Sequence, residues 1–223
     1  MEITWLGETC VRLKGREGIV AVDAYRSVVG KTGHQLTADV ATFSHAEDEA
    51  TLFKGVGGKA SDAHGVILPT SLEPAFPLDA PGEYEVHGIL VNGVRTFRDD
   101  ARGGERGLNV AFVVELDGIH IVHLGDTGHA LTEEQIGEIG TVHVACIPVG
   151  GALSPTKAVE IATALDAPIV VPLPIGDDAD GALARFLKEM SVTEARPEPK
   201  LTVSISTVPE ETRVIVLEAK PRT

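Results

Sequence analysis

Short apolar runs alternating in twos fill the first half of the chain, and helical periods enter only after Leu131; this order constrains the fold more than any other feature. "EITWLG", "CVRLKG" and "GIVAVD" read as three strands with glycine turns between them, "ADVATFS" as a fourth and "AHGVILPT" as a fifth. "GEYEVHGILVNGVRTF" reads as a hairpin or bent strand with Asn92-Gly93 as its turn, and "LNVAFVVELDGIHIVHLGD" as a hairpin with Asp117-Gly118 at its tip. The rhythm then changes. Thr132 and Gln135 have capping-box spacing, with Leu131 and Ile136 as the hydrophobic staple. "TVHVACIPVG" is a strand. Ser154 and Pro155 start a helix whose Ala158, Ile161, Ala162 and Leu165 share one face. "PIVVPL" is a strand, "DGALARFLKEM" a helix with Leu183, Phe186, Leu187 and Met190 on one side, and "LTVSIS" and "TRVIVLEA" return to strands. Strands first and strand–helix alternation later imply an α/β (α+β) fold of two sheets with helices packed outside, in one domain over residues 1–223.

With 43% hydrophobic residues in 223, the chain can bury a sizeable core. No run approaches the roughly 18 to 20 apolar residues of a membrane span, and "MEITWLG" lacks the basic and apolar regions of a signal peptide. Cys10 and Cys146 lie far apart with no CxxC pair, so a reducing, cytoplasmic setting is expected, with one buried bridge left open. A net charge of −14 makes nucleic acid and anionic membranes poor partners. The candidate basic patch, Arg102 to Arg106, holds only two arginines and a glutamate. The expected partner is a small molecule of unknown kind; a homo-oligomer stays open.

Two places carry groups able to do chemistry. "TFSHAEDEATLF" puts His45, Glu47, Asp48 and Glu49 just after a strand, and "HLGDTGH" puts Asp126 at the carboxyl end of another. Strand ends of this kind are where open α/β sheets bind ligands, and divalent metals need carboxylates and imidazoles that converge from separate loops. A plainer reading makes Glu47 to Glu49 the acidic first turn of a helix. There is no GxSxG elbow, no P-loop spacing around Lys59, and no base next to either cysteine.

With these segments in view, the chain resembles the metallo-β-lactamase-fold hydrolases, in particular the branch containing L-ascorbate-6-phosphate lactonase. "ITWLGETCVRL", "VAVDAY", "DVATFSHAEDEA", "PGEYEVHGILVNGVRTFRDD", "HLGDTGHALTEEQIGEIG", "VHVACIPVGG" and "PIVVPLPIGDD" carry the likeness, in order, over nearly the whole chain. The resemblance implies a four-layer αββα sandwich with the site along one edge of its two sheets.

It also implies metal ligands, and many are replaced. Against the family's T/S-H-x-H-x-D-H motif, Ser44 and His45 match, Glu47 and Glu49 stand at the second histidine and the aspartate, and Ala50 replaces the last histidine. Arg98 occupies the place of a later histidine, Asp126 is the bridging aspartate, and Pro174 stands where the final histidine would be. Only His45, Glu47, Glu49 and Asp126 remain as candidate ligands, too few for a dizinc centre of about seven contacts. The expectation is a chain without ordinary zinc hydrolase activity, acting as a ligand-binding or assembly module, with Arg98 supplying the charge that zinc would bring. The alternative is a hydrolase of small phosphorylated or lactone-type compounds, with those four residues holding a single divalent ion, manganese, magnesium or zinc.

Overall fold

A computed structural model describes residues 1–29, 36–46 and 75–220. The proposed strand "AHGVILPT", Glu47, Glu49 and Ala50 lie outside these described residues.

Among the described residues, thirteen strands make two sheets. The first sheet has the order β12-β1-β2-β3-β4-β5, built from β1 (Glu2–Gly7), β2 (Cys10–Lys14), β3 (Ile19–Val22), β4 (Val40–Thr42), β5 (Phe76–Leu78) and β12 (Leu201–Thr202). The second has the order β13-β11-β10-β9-β8-β7-β6. Its strands are β6 (Gly82–Val86), β7 (Ile89–Phe97), β8 (Leu108–Leu116), β9 (Ile119–His123), β10 (Val144–Gly150), β11 (Ile169–Ile175) and β13 (Arg213–Val214).

Alternation along the strands divides the apolar residues between layers. In β8, Val110, Phe112, Val114 and Leu116 join the core between the sheets, where they meet Val11, Leu13, Val20, Val22 and Val40 of the first sheet. Ala111, on the opposite face, joins an outer core with Ile147, Ile161, Leu165 and Phe186. That outer core is covered by α2 (Glu133–Ile139), α3 (Pro155–Leu165) and α4 (Ala179–Glu189). On the far side of the first sheet, Cys10, Ala21, Ala41 and Phe43 pack with Tyr25, Val28 and Val29 from the segment containing the short α1 (Arg26–Val29). The result is the four-layer αββα sandwich.

The helix starts follow the local signals. Thr132 and Gln135 form a reciprocal capping box. The Ser154 hydroxyl caps α3 with Pro155 at its first position, and Ala158, Ile161, Ala162 and Leu165 are its buried face. In α4 the buried residues are Ala182 and Phe186, while Leu183, Leu187 and Met190 are half-buried.

Two expectations are corrected. The first hairpin turns at His87-Gly88, whose φ angles are 53° and 82°, not at Asn92-Gly93. Asn92 and Gly93 lie inside β7, which pairs without a break with β8 from Leu90 to Phe97; a turn there would sever that ladder. Gly93 serves close packing instead, since a Cβ on it would come within 2.7 Å of the Ala80 carbonyl oxygen. The tail is also less regular than its pattern: "LTVSIS" gives a two-residue strand and a 3₁₀ turn at Ile205–Thr207, and "TRVIVLEA" only the short β13. Both cysteines are buried free thiols, so no bridge joins them. Among the described residues no helix is long and apolar enough to cross a membrane.

Topology places the site. Strands β3, β4 and β5 run parallel in one sheet, and β9, β10, β11 and β13 in the other. The carboxyl ends of β3, β4, β9, β10 and β11 therefore meet along one edge, where the β1–β2 turn at Glu8-Thr9 and the β7–β8 connection from Arg98 to Gly107 join them.

Candidate functional site

At the end of β4 a polar network holds His45. Asp23, which follows β3 with a φ of 51° and is fully buried, accepts the Ser44 backbone N–H and the Ser44 hydroxyl, each at 2.7 Å. With that hydroxyl proton given to Asp23, Ser44 Oγ accepts from His45 Nδ1 at 2.9 Å, which sets the imidazole tautomer. The Tyr25 hydroxyl donates to the His45 carbonyl at 2.6 Å and accepts its backbone N–H at 3.0 Å, and the two rings lie 4.8 Å apart.

At the end of β9, Asp126 is held by a different set. Its backbone N–H donates to Asn109 Oδ1 at 3.0 Å. The fully buried Asn109 amide in turn donates to Thr96, Leu124 and Thr127. The Asp126 carboxylate oxygen Oδ2 accepts from Arg98 Nε at 2.8 Å, stands 2.7 Å from Arg98 Nη2, and is reached by Arg106 Nη2 at 3.3 Å. Asp99 organises the loop that carries both arginines. Its carboxylate accepts the backbone N–H groups of Ala101, Gly103, Glu105 and Arg106, and these bonds, Arg106 first, lower its pKa. Gly128 lets the next loop close on Arg98, since a Cβ there would meet the Arg98 carbonyl oxygen at 2.1 Å.

Other histidines have structural duties. His123 donates from Nε2 to the Thr9 carbonyl and accepts the Gly125 N–H on Nδ1; burial pushes its pKa down. His120, three residues earlier and on the other face, is half-buried and lies 3.4 Å from Glu115. His129 accepts the Phe97 N–H on Nε2 and donates from Nδ1 to the Ala130 carbonyl. Burial raises the pKa of both thiols, that of Cys146 to about 12, so neither suits a nucleophile.

His45 and Asp126 border one cleft of about 370 Å³, together with Thr9, Arg106, Gly151 and Gly176. A second hollow of about 510 Å³ shares His45 and extends past Asn109, Arg95 and Leu108.

A family model described as a β-lactamase superfamily domain matches residues 2–174. The chain belongs to the metallo-β-lactamase superfamily. A UPF0173 metal-dependent hydrolase of Methanoregula boonei is 30% identical over 78% of this chain and 81% of its own length. One from Methanoculleus marisnigri is 28% identical over 88% and 89%. Among solved structures, a protein from Thermotoga maritima assigned as a zinc-dependent hydrolase of this superfamily is 29% identical, covers 97% of both chains and superposes with a TM-score of 0.72. The metallo hydrolase Igni18 of Ignicoccus hospitalis shares the fold at 17% identity, over 91% of this chain and 99% of its own, with a TM-score of 0.57.

Set in the superfamily frame, the structure brings Asp126 together with Arg98 and puts His45 across the same cleft, while Glu47 and Glu49 lie outside the described residues. Pro174 sits in β11 paired with Val149, and the next residues, Ile175 and Gly176, border the cleft without offering a ligand side chain. Among the described residues no three His, Cys, Asp or Glu side chains gather as a metal site. One oxygen of the Asp126 carboxylate, Oδ2, already carries two guanidinium contacts. The described residues do not by themselves fit a metal centre.

Several participants escaped the sequence reading. Asp23 ends "GIVAVD" as Asp126 ends "IVHLGD", so the strand-end rule that found one acid applies equally to the other. Asn109, a polar residue in an apolar strand, was a visible irregularity. Arg106 had no signal, because only the loop closed by Asp99 brings it to Asp126.

Proposed function

We propose that this chain keeps the scaffold of the metallo-β-lactamase superfamily but has an Arg98–Asp126 ion pair where its relatives hold metal, and that it works as a ligand-binding module rather than a dizinc hydrolase. The observation that carries this reading is the double contact of Arg98, through Nε at 2.8 Å and Nη2 at 2.7 Å, with the Asp126 oxygen. A guanidinium is permanently charged. A dication sharing that carboxylate would sit about 5 Å from it and be repelled by roughly 7 kcal/mol at an effective dielectric of 20. Arg106 adds a second repulsion of the same sign. The replacements Ala50 and Pro174, which offer no ligand atoms, support the same view.

Metal analysis of the purified protein, followed by manganese, magnesium and zinc titrations read by thermal shift, tests the proposal. Substoichiometric metal and no shift with any ion are expected. Tightly held, stoichiometric metal would overturn the reading. It would favour instead a hydrolase acting through His45, Glu47, Glu49 and Asp126, in keeping with the relatives named metal-dependent hydrolases.

A further inference from the structure

We infer that the Arg106 side of the 370 Å³ cleft is a binding site for a small oxyanion, a phosphate or carboxylate group on the ligand, with Arg106 as its main contact. The inference rests on the metal-free reading above and names the ligand chemistry of that same site.

The two arginines are employed differently. Arg98 has all three guanidinium nitrogens engaged: Nε and Nη2 on Asp126, and Nη1 on the Arg106 carbonyl at 3.4 Å. Arg106 makes one long contact with its guanidinium among the described residues, the 3.3 Å approach to Asp126, and its side chain is 45% exposed. It borders the cleft, and its other N–H donors remain for a ligand. A guanidinium fork matches the paired oxygens of a carboxylate or phosphate. The loop that carries the fork is also preset. Asp99 holds the Arg106 backbone N–H at 2.6 Å and three further N–H groups of the loop, so little backbone ordering remains for binding to cost.

The rest of the cleft suits a polar guest. Thr9 brings a hydroxyl-bearing side chain, and Gly151 and Gly176 leave backbone exposed to the space. The volume lies within the range of about 300 to 1,000 Å³ typical of small-ligand pockets. Glu8, which is exposed, and Asp126 outweigh Arg106, the arginine that borders the cleft, in formal charge. Recognition therefore depends on directed N–H donors rather than on a net positive field. With a chain charge of −14 opposing anions at long range, binding is modest.

The test is titration of inorganic phosphate and, separately, acetate at low ionic strength, followed by NMR shifts of the Arg side-chain Nε–H and the 98–107 backbone. It is run on protein as purified and on protein dialysed against a chelator. Saturable shifts with phosphate alone assign a phosphoryl group, with acetate alone a carboxylate, and with both the shared oxyanion chemistry. Arg106→Gln should weaken binding about tenfold, and Arg102→Gln, in the same loop but outside the cleft, should not change it. No saturable shift with either anion, or wild-type binding by Arg106→Gln, overturns the inference. Metal in the purified protein would defeat the metal-free reading alone, provided chelated protein still binds the anion through Arg106. Anion binding that vanishes with the metal defeats both.

Discussion

At the end of β4, the buried carboxylate of Asp23 serves its neighbours: it takes both protons Ser44 can offer and, through that hydroxyl, orients His45. At the end of β9 the roles are reversed, and Asp126 is the group being served, by two guanidiniums on one oxygen. Both networks border the same cleft, yet one is a support built of neutral donors and the other a balance of full charges. The support beneath His45 is intact although the four other ligand histidines that the family resemblance implies are replaced, by Glu47, Ala50, Arg98 and Pro174. A second-layer network of this kind also stabilises the fold, because removing it strands buried donors. The charges at Asp126 answer to a different need, since the side-chain partners of this carboxylate, 10% exposed, are guanidiniums rather than the neutral donors that satisfy Asp23.

Four substitutions break or sharpen this contrast. The largest effect is expected from Asp23→Ala, which leaves the buried Ser44 N–H and hydroxyl without an acceptor and should cost about 3 kcal/mol in urea unfolding; a loss below about 1 kcal/mol would show that the β4 end is not held by Asp23. Arg98→Ala should cost about 2 kcal/mol, because Arg106 remains as a weaker partner for Asp126. The double variant Arg98→Ala/Asp126→Ala should be less destabilised than the sum of the singles, and simple additivity would remove the charge-balance account.

Asp99→Asn should have a smaller effect, concentrated in its pH dependence. The folded pKa of Asp99 is lowered, so its contribution is complete above the unfolded value near 4 and disappears as pH falls through the lower folded value. The wild-type protein should lose this contribution in acid, whereas the variant should lack it at neutral pH and fall less steeply; parallel curves would show that Asp99 does not clamp the loop. Least affected should be Arg106→Gln, within about 0.5 kcal/mol of wild type, as expected of an exposed ion-pair partner. A large loss would make Arg106 part of the structural balance rather than a residue held ready for ligand.

The hairpins show where local reading succeeds and where it stops. Asp117-Gly118 turns as its sequence suggests, with φ of 54° and 73°. Asn92-Gly93 carries an equally good signal and does not turn, because β7 needs its full length to pair with β8. Local propensity proposes a turn; the partner strand decides which proposal is taken. The site divides in the same way. His45 and Asp126 were visible because each stands beside a strand end, and Arg98 because the family resemblance puts it at the place of a ligand histidine. Asp99 and Arg106 were not, because their roles arise from backbone bonds inside one loop that no periodicity describes.

The sequence by itself determined the buried face of α3, since the helical spacing of Ala158, Ile161, Ala162 and Leu165 marks it whatever its partners are. Strands β8 and β10 are apolar on both faces, and the layers of Phe112 and Ile147 were left to the tertiary structure. The sequence also determined the helix starts, because capping is a matter of residues three apart. Only the tertiary structure decided which charges meet. Arg98 and Asp126 are 28 residues apart in the chain, and Ser44 and Asp23 are 21 apart. Their encounters depend on several parallel strands ending at one edge, and electrostatic contacts at 2.7 Å carry no periodic signature in the sequence.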